Sequence, residues 1–232
     1  FKMPANIFIE GRPAGLFYGF RTNGIVTQEA IDKGLVPTYR GQQLQPGDIW
    51  YLDTDGSGNV DDMDKEVIGD PNPSFTYGFS TSFRWKSLSL SMMFDGVYGN
   101  QIANGNLLPE TNTSPTGNNL HNVRTEAYLG AWSESNQDAR YPRLNRTAGQ
   151  TKDFTDRILE NGSYMRLSAV TLSYQFNFKR TSVVKNLGLS FTVRNAFTWS
   201  SYSGWDPEVS SFTNNALKVG AVSYTHLRAH ET

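Results

Sequence analysis

The sequence contains no cysteine in its 232 residues, which excludes disulfides, thiolate catalysis and cysteine-ligated metals together. It also lacks any run of about 18 apolar residues, so no helix is predicted to cross a membrane, and only a β-barrel could span one. Neither sign of charge prevails, because 21 basic residues stand against 22 acidic ones. A nucleic-acid partner would require a basic surface and is therefore not expected.

Both ends of the chain lack features of an ordinary terminus. The start, from Phe1 to Pro4, has no initiator methionine and no charged-then-apolar signal sequence. The end, 222–232, abandons the preceding pattern and resembles translated sequencing-adapter sequence. We therefore expect 1–221 to be the structural region and 222–232 to be a non-native tail, with a frayed natural terminus as the alternative.

Alternating hydrophobicity is the main feature that the sequence does have. In four segments, apolar or aromatic residues occupy every second position and small or polar residues lie between them, which is typical of a strand with one apolar face. The segments are 75–85, 88–94, 170–178 and 187–197. Because only Lys86-Ser87 separates the first two, these are predicted to form a tight hairpin.

The lengths of these segments favour a membrane protein. With the residues that flank the strict alternation they run to about 10 to 13 residues, which exceeds the usual globular strand of about 5 or 6 and suits a tilted strand that crosses a bilayer. Aromatic residues near their ends match the girdles at two membrane interfaces: Phe75, Tyr77, Trp85, Tyr98, Tyr164, Phe178, Phe197 and Trp199. The predicted fold class is all-β, a transmembrane antiparallel β-barrel; a soluble β-sandwich is the alternative.

The lengths of the connections predict the orientation. Outer-membrane barrels have short periplasmic turns and long extracellular loops. The short connections, 86–87 and 179–186, are therefore predicted to be periplasmic, and the long ones, 23–72 and 98–163, extracellular. Within the longest connection, 120–132 is predicted to contain a short helix.

An acidic, glycine-rich segment resembles the calcium loop of an EF-hand. Oxygen-bearing side chains occupy its positions one, three, five, nine and twelve, and Gly58 occupies position six, where the EF-hand loop turns sharply. The predicted Ca²⁺ ligands are Asp53, Asp55, Ser57, the Asn59 carbonyl, Asp61 and Asp64. Asp64 replaces the usual glutamate, and 48–51 is predicted to be a strand rather than a helix. The alternative is a solvated turn without metal.

Several motifs resemble one family of transporters in order and spacing. They are GDIWY at 47–51, the acidic loop, IGDPNPSFTYGF at 68–79, FDGVYGNQI at 94–102, YMRLS at 164–168, RNAF at 194–197 and GWDPE at 204–208. Across about 11–209 the chain is similar to the C-terminal barrel region of SusC/RagA-type TonB-dependent transporters.

The resemblance implies a nutrient importer in the outer membrane, in contact with its lipid. Such a protein has a 22-stranded barrel, an N-terminal plug through which TonB acts, and a SusD-like surface lipoprotein as a lid. Its cargo is an oligosaccharide or a peptide. On this reading, 1–221 is the C-terminal part of the barrel, and the plug and the earlier strands are absent.

Four residues in the predicted external loops, Trp132, Tyr141, Arg143 and Arg146, suit contact with cargo or lid. Their alternative role is packing within the loops. Asp206-Pro207-Glu208 is predicted to be a turn with solvated acids.

No catalytic arrangement is expected from this sequence. Carboxylates are available for a glycosidase, but no nucleophile elbow or zinc spacing accompanies them. A secreted, calcium-pinned β-sandwich that binds carbohydrate is the alternative function. A passive porin or adhesin barrel is a third.

Overall fold

The computed structural model describes residues 6–107, 124–143, 150, 153–178, 186–208 and 221–222. These residues belong to two compact units. The first unit comprises Phe1–Asn72, Gln101–Glu160 and Val209–Thr232, and the second comprises Pro73–Asn100 and Asn161–Glu208.

The described elements are fourteen strands and four short helical turns, which in chain order have the following bounds. They are β1 (Asn6–Ile7), β2 (Leu16–Gly19), β3 (Thr22–Ile25), α1 (Gln28–Asp32), β4 (Thr38–Tyr39), β5 (Ile49–Tyr51), β6 (Asn59–Val60), a 3₁₀ turn (Asp62–Asp64), β7 (Glu66–Gly69), β8 (Phe75–Trp85), β9 (Leu88–Tyr98), β10 (Gln101–Asn104), α2 (Thr125–Leu129), a 3₁₀ turn (Asp156–Ile158), β11 (Leu159–Asn161), β12 (Tyr164–Asn177), β13 (Asn186–Ser200) and β14 (Ala221–Val222).

The second unit is one antiparallel sheet in the order β13-β12-β9-β8. Trp85 pairs with Leu88, so β8 and β9 form a hairpin with the two-residue turn Lys86-Ser87. Asn177 pairs with Asn186, which makes β12 and β13 a second hairpin. The two middle strands, β9 and β12, also pair with each other. The connection between them leaves the sheet at the end opposite both hairpin turns.

The register gives this sheet two different faces. Phe79, Phe94, Leu167 and Phe197 lie in one cross-strand row, and Phe83, Leu90, Leu172 and Phe191 lie in another. Because side chains alternate along a strand, the rows between these point to the opposite side. One such row is Ser82, Ser91, Thr171 and Thr192, and another is Arg84, Ser89, Ser173 and Ser190. We call the two sides the apolar face and the polar face.

A β-bulge keeps these faces continuous. Leu167 pairs with Phe94 and Ala169 with Met93, so Ser168 is an extra residue in β12 relative to β9. The Ser168 hydroxyl donates to the Met93 carbonyl at 3.0 Å. Apolar residues of β12 consequently change from odd to even positions at Ser168, yet all of them stay on one face.

Short strands and two buried clusters build the first unit. The larger cluster contains Phe20, Val26, Tyr39, Leu44, Ile49, Tyr51 and Val60, and the smaller contains Phe17, Ile68 and Ala103. The strands belong to the small sheets β1-β2-β7, β11-β10-β14, β3-β5 and β4-β6. Burial of this apolar surface explains why a segment with so little regular structure is ordered.

Buried polar groups tie distant segments of the first unit together. The Gln150 side chain accepts from the Ile49 amide at 3.0 Å and donates to the Ile49 carbonyl at 2.9 Å, as a neighbouring strand would. The Thr22 hydroxyl donates to Asp156 Oδ1 at 2.7 Å. These bonds satisfy groups that would otherwise be costly to bury.

The structure confirms the four predicted strands and the tight hairpin at Lys86-Ser87. The predicted strand at 48–51 is found as β5, and the helix predicted within 120–132 is found at Thr125–Leu129. Residues 223–232 of the predicted tail lie outside the described residues. In the described part of the chain, no helix has the length and hydrophobicity needed to cross a bilayer.

Candidate functional site

Large hydrophobic side chains on the apolar face of the sheet are exposed. Those more than one third exposed are Phe75, Phe79, Phe83, Trp85, Tyr98, Leu172, Tyr174, Phe176, Phe178, Leu187, Leu189, Phe191, Val193, Phe197 and Trp199. Phe79 and Phe94 stack across the hairpin, with ring centroids 4.6 Å apart. A monomeric soluble protein rarely exposes a contiguous apolar surface of this extent, whereas a sheet in contact with lipid must.

Aromatic residues are found at both ends of this face, as predicted, but Tyr164 is not among them, because it is buried and shares a polar-face row with Val97 and Ser200. Phe75 stacks on Tyr98 at the end where the long connection leaves, with ring centroids 5.2 Å apart. Trp85 and Phe178 lie at the hairpin-turn end. This distribution is typical of the two interfacial girdles of an outer-membrane barrel.

Hydroxyl side chains line much of the polar face. Ser82, Ser91, Thr171 and Thr192 form one row, in which the Thr171 and Thr192 hydroxyls lie 3.0 Å apart. Such a face can be hydrated and can form hydrogen bonds with polar solutes without a strong net charge.

Arg166 is the most buried charged side chain of this sheet, with only 7% of the side chain exposed. Its Nη2 donates to Asp206 Oδ1 at 2.5 Å and its Nη1 to Glu208 Oε2 at 2.6 Å. Its Nε donates to the Thr198 hydroxyl at 3.2 Å, and its guanidinium carbon lies 5.2 Å from the Tyr164 ring centroid. Every guanidinium nitrogen therefore has a partner, as a buried cation requires.

The sequence interpretation of Asp206-Pro207-Glu208 was incomplete. Both acids are about half exposed, but each forms an ion pair with Arg166. Asp206 lies 40 positions from Arg166, and no local pattern indicates a contact at that separation. The cross-strand pairing of β12 with β13 brings the two together.

The acidic loop brings three of its predicted ligands together. Single carboxylate oxygens of Asp53, Asp55 and Asp64 all lie within 4.8 Å of one another. Asp53 accepts from the amides of Gly56 at 2.9 Å and Gly58 at 2.7 Å, which closes the turn. Positive φ values of 73° and 81° make glycine the favoured residue at these two positions.

The other predicted ligands form different contacts. Asp61 Oδ1 accepts from the Met63 amide at 2.8 Å and caps the 3₁₀ turn. The Ser57 hydroxyl donates to the Asn59 carbonyl at 3.0 Å. Buried Asp64 accepts from the amides of Thr54 at 2.7 Å and Asp61 at 2.8 Å. The loop is thus folded by its own hydrogen bonds, and a cation would complete a partly assembled set of oxygens.

Electrostatics in the loop favour ionised acids. Hydrogen bonds from Ser57 hold the pKa of Asp55 below its usual value. The pKa of Asp62 is also lowered, by the hydrogen bond and the positive charge of Lys65, whose Nζ lies 2.9 Å from Asp62 Oδ1. Ionised carboxylates are the form that a hard cation binds. Binding of Ca²⁺ here stays a prediction.

The predicted cargo contacts lie in packing environments of the first unit. Arg143 Nε donates to Asp48 Oδ1 at 2.8 Å, and Asp48 is fully buried. The Trp132 amide donates to the Tyr141 carbonyl at 2.9 Å. A Cβ at Gly47, whose φ is 88°, would clash with the Trp132 ring. Arg146 lies outside the described residues.

These contacts support the loop-packing alternative for Trp132, Tyr141 and Arg143. A role of the same residues in cargo binding stays a prediction. The structure adds Arg166, Asp206 and Glu208 as a cluster that the sequence did not indicate.

No protein-family model matches the chain. The chain does match curated relatives. The chain is 31% identical to TonB-dependent receptor P3 of Formosa agariphila over 96% of its own length and 22% of the length of that receptor. It is 28% identical to TonB-dependent receptor SusC of Bacteroides thetaiotaomicron, over 72% of the chain and 16% of SusC. The chain therefore spans about a fifth of the length of these relatives.

Solved structures show the same fold. The RagAB peptide importer in its open-open state matches with a TM-score of 0.67 and 23% identity, over 95% of this chain and 22% of the importer chain. The closed-closed state matches with a TM-score of 0.65 and 24% identity, over 89% of this chain and 22% of that one.

Together with the RagAB structures that share its fold, the two-faced sheet, with hairpin turns at one end and a long connection at the other, identifies a segment of a transmembrane β-barrel. The relatives make the class more specific. The chain is SusC/RagA-like and corresponds to part of a TonB-dependent receptor. The relatives are receptors and transporters by name, so the prediction that this protein is not an enzyme is confirmed.

Proposed function

We propose that this chain forms part of the wall and the external loops of an outer-membrane importer that takes up oligosaccharides or peptides. The names of the relatives, TonB-dependent receptors among them, support import across the outer membrane. RagAB, the structural match, is a peptide importer. The complete protein would be a 22-stranded barrel whose plug receives energy from TonB.

The observation that carries this proposal is the two-faced sheet. Its apolar face exposes aromatic and aliphatic side chains, which suits contact with lipid. Its polar face carries hydroxyl groups, which suits a hydrated lumen. In the described residues, β8 and β13 each have one neighbour in this sheet. We propose that further strands of the barrel pair with their outer edges, because an unpaired edge in a membrane is costly.

The first unit, which contains the predicted external loops, would then lie outside the cell. Its packed loops offer a shaped surface to a SusD-like lipoprotein lid. Importers of this kind bind and release cargo without changing it chemically. They therefore need rigid loops that shape a binding surface and a lid that moves, and they need no catalytic residues.

The alternative of a secreted β-sandwich has less support. A sandwich covers the apolar face of each sheet with a second sheet. Among the described residues, the apolar face of β8, β9, β12 and β13 remains exposed instead.

The proposal can be tested with the full-length receptor in its native bacterium. Deleting its gene should abolish uptake of one class of labelled oligosaccharide or peptide, and deleting the TonB gene should have the same effect. The receptor should fractionate with the outer membrane and copurify with a lipoprotein. Normal uptake of every labelled compound in both deletion strains would contradict the importer proposal.

A further inference from the structure

Trp205 is the most exposed large hydrophobic side chain in the described part of the protein, at 91%. It lies in the turn 201–208 that follows β13, at the end of the sheet where the long connection leaves. An indole this exposed can bury a large apolar area when a ligand covers it.

The turn that carries Trp205 is fixed from both sides. Asp206, the next residue, is bound to Arg166, and its Oδ1 also accepts from the Glu208 amide at 2.8 Å. On the other side Tyr202 is buried, and its ring lies so close to Gly204 that a Cβ there would clash. Trp205 is therefore presented on a preorganised turn, which lowers the entropic cost of binding.

Register places this turn on the polar side of the sheet. Arg166 shares a cross-strand row with Gly78, Asp95 and Thr198, and this row alternates with the rows of the apolar face. Because Asp206 and Glu208 reach Arg166, the turn is tied to the polar face rather than to the face proposed to contact lipid. Anchoring in lipid therefore does not explain the exposure of Trp205.

We propose that Trp205, Asp206 and Glu208 form a contact site for a neutral sugar ring of the cargo, with Arg166 as a positioning residue. This inference rests on the proposed import function and makes its substrate class more specific. The flat indole would stack on the apolar C–H face of a sugar ring. Asp206 Oδ2 and Glu208 Oε1, which have no hydrogen-bond partner among the described residues, would accept from its hydroxyl groups.

Charge favours a neutral sugar over charged cargo. The two carboxylates outnumber the one guanidinium they bind, so an anionic ligand would be repelled. Arg166 cancels one of the two negative charges, so a cationic ligand gains less attraction here than it would from two unpaired carboxylates. The nearby rows of the polar face supply serine and threonine hydroxyls, which suit an uncharged polar chain.

The test uses the full-length receptor, purified in detergent with any lipoprotein that copurifies. Binding of maltohexaose, cellohexaose and laminarihexaose is measured by titration calorimetry, with trilysine and trialanine as peptide probes. We expect at least one of the three sugars to bind. Trp205→Ala should weaken that binding about tenfold or more, and Trp205→Phe should restore most of it because a ring remains.

Two further variants distinguish contact from folding. Trp85→Ala removes another exposed tryptophan, on the apolar face, and should leave sugar binding unchanged. Arg166→Met keeps Trp205 but frees the turn, and should weaken sugar binding while the barrel keeps its heat-modifiable migration on gels.

Three results would overturn the site. One is unchanged sugar affinity in Trp205→Ala. Another is binding of a peptide probe, but of no sugar, with loss of that binding in Trp205→Ala. The third is the absence of binding to all three sugars. Each leaves the import proposal standing if deletion of the gene still abolishes uptake of another compound.

Discussion

Arg143 donates a hydrogen bond of 2.8 Å to Asp48, a carboxylate with no solvent exposure. The same carboxylate accepts from the Gln45 amide at 2.9 Å, and the Arg143 amide donates to the Gly47 carbonyl at 2.7 Å. Arg143 thus joins two segments of the first unit through its side chain and its backbone. A residue predicted from sequence to contact cargo has a structural role in the described contacts.

Replacing Arg143 with methionine should destabilise the first unit. The buried Asp48 charge would lose one of its partners, at a cost of about 3 to 5 kcal/mol. Amide hydrogen exchange across 45–51 should accelerate accordingly. Arg140→Met is the matched control, because among the described residues its guanidinium contacts only the Tyr141 ring, at 5.9 Å. Unchanged exchange together with weaker cargo binding would favour the contact role instead.

A charge on the apolar face should prevent assembly of the barrel. Phe191 is 69% exposed on that face near the middle of β13, and an arginine there would cost about 2 to 4 kcal/mol in lipid. The neighbouring Ser190→Arg places the same side chain on the polar face and should be tolerated. The amount of folded receptor in each of the two variants is measured by the heat-modifiable migration of outer-membrane fractions on gels. Equal amounts of folded receptor in the two variants would contradict the assignment of the faces.

The bulge predicts that two single-residue deletions differ in effect. Without Ser168, Leu167 and Ala169 would continue the ladder opposite Phe94 and Met93 of β9, and both faces would be kept, with Asn195 and Ala196 left as an irregularity on the β13 side. Deleting Thr171 from the regular ladder would shift the register by one and transfer apolar side chains to the polar face. We expect folded receptor in the outer membrane after the first deletion and almost none after the second. The reverse order would show that the pairing of β12 with β9 is wrong.

Calcium binding by the acidic loop can be measured directly. If the predicted site exists, calorimetry of the receptor should show Ca²⁺ uptake with a dissociation constant of about 10⁻⁴ to 10⁻³ M, as in extracellular modules. Asp55→Asn should abolish this uptake, because Asp55 belongs to the converging set. Asp62→Asn alters an exposed acid that pairs with Lys65 and should retain the uptake. Identical titrations of Asp55→Asn and the unmodified receptor would remove the loop as a metal site.

The stability of the first unit should decrease in alkali. Burial raises the pKa of the Tyr39 hydroxyl, and its 2.5 Å hydrogen bond to Asp153 raises the pKa further. A raised pKa in the folded state favours the neutral phenol. The resulting stabilisation is complete below about pH 10, the ordinary tyrosine pKa, and is lost as the pH rises above that value.

Protease cleavage of the first unit should therefore increase above about pH 10, and less so in Tyr39→Phe, which cannot ionise. Tyr128→Phe, at an exposed position, should behave as the unmodified receptor does. An identical pH profile for Tyr39→Phe and the unmodified receptor would contradict the role of this hydrogen bond.

Local structure in this protein follows from short stretches of sequence. Alternation from Phe75 to Trp85 and from Leu88 onward fixed two strands, and Lys86-Ser87 between them left room only for a tight turn. Glycines and acids between Asp53 and Asp64 fixed the shape of the acidic loop through hydrogen bonds only two to five positions apart in several cases. Such features depend on neighbours in the chain, which a sequence displays directly.

Contacts between distant residues, in contrast, depend on how the whole chain packs. β9 pairs with β12 across the whole long connection, and alternation alone does not select a partner for a strand. Arg166 forms ion pairs with Asp206 and Glu208, and Arg143 forms one with Asp48. These residues are so far apart in the sequence that the pattern of charges does not indicate which of them will pair. A buried charge binds whichever opposite charge the packed chain brings within reach, so its partner is known only once the strands are in register.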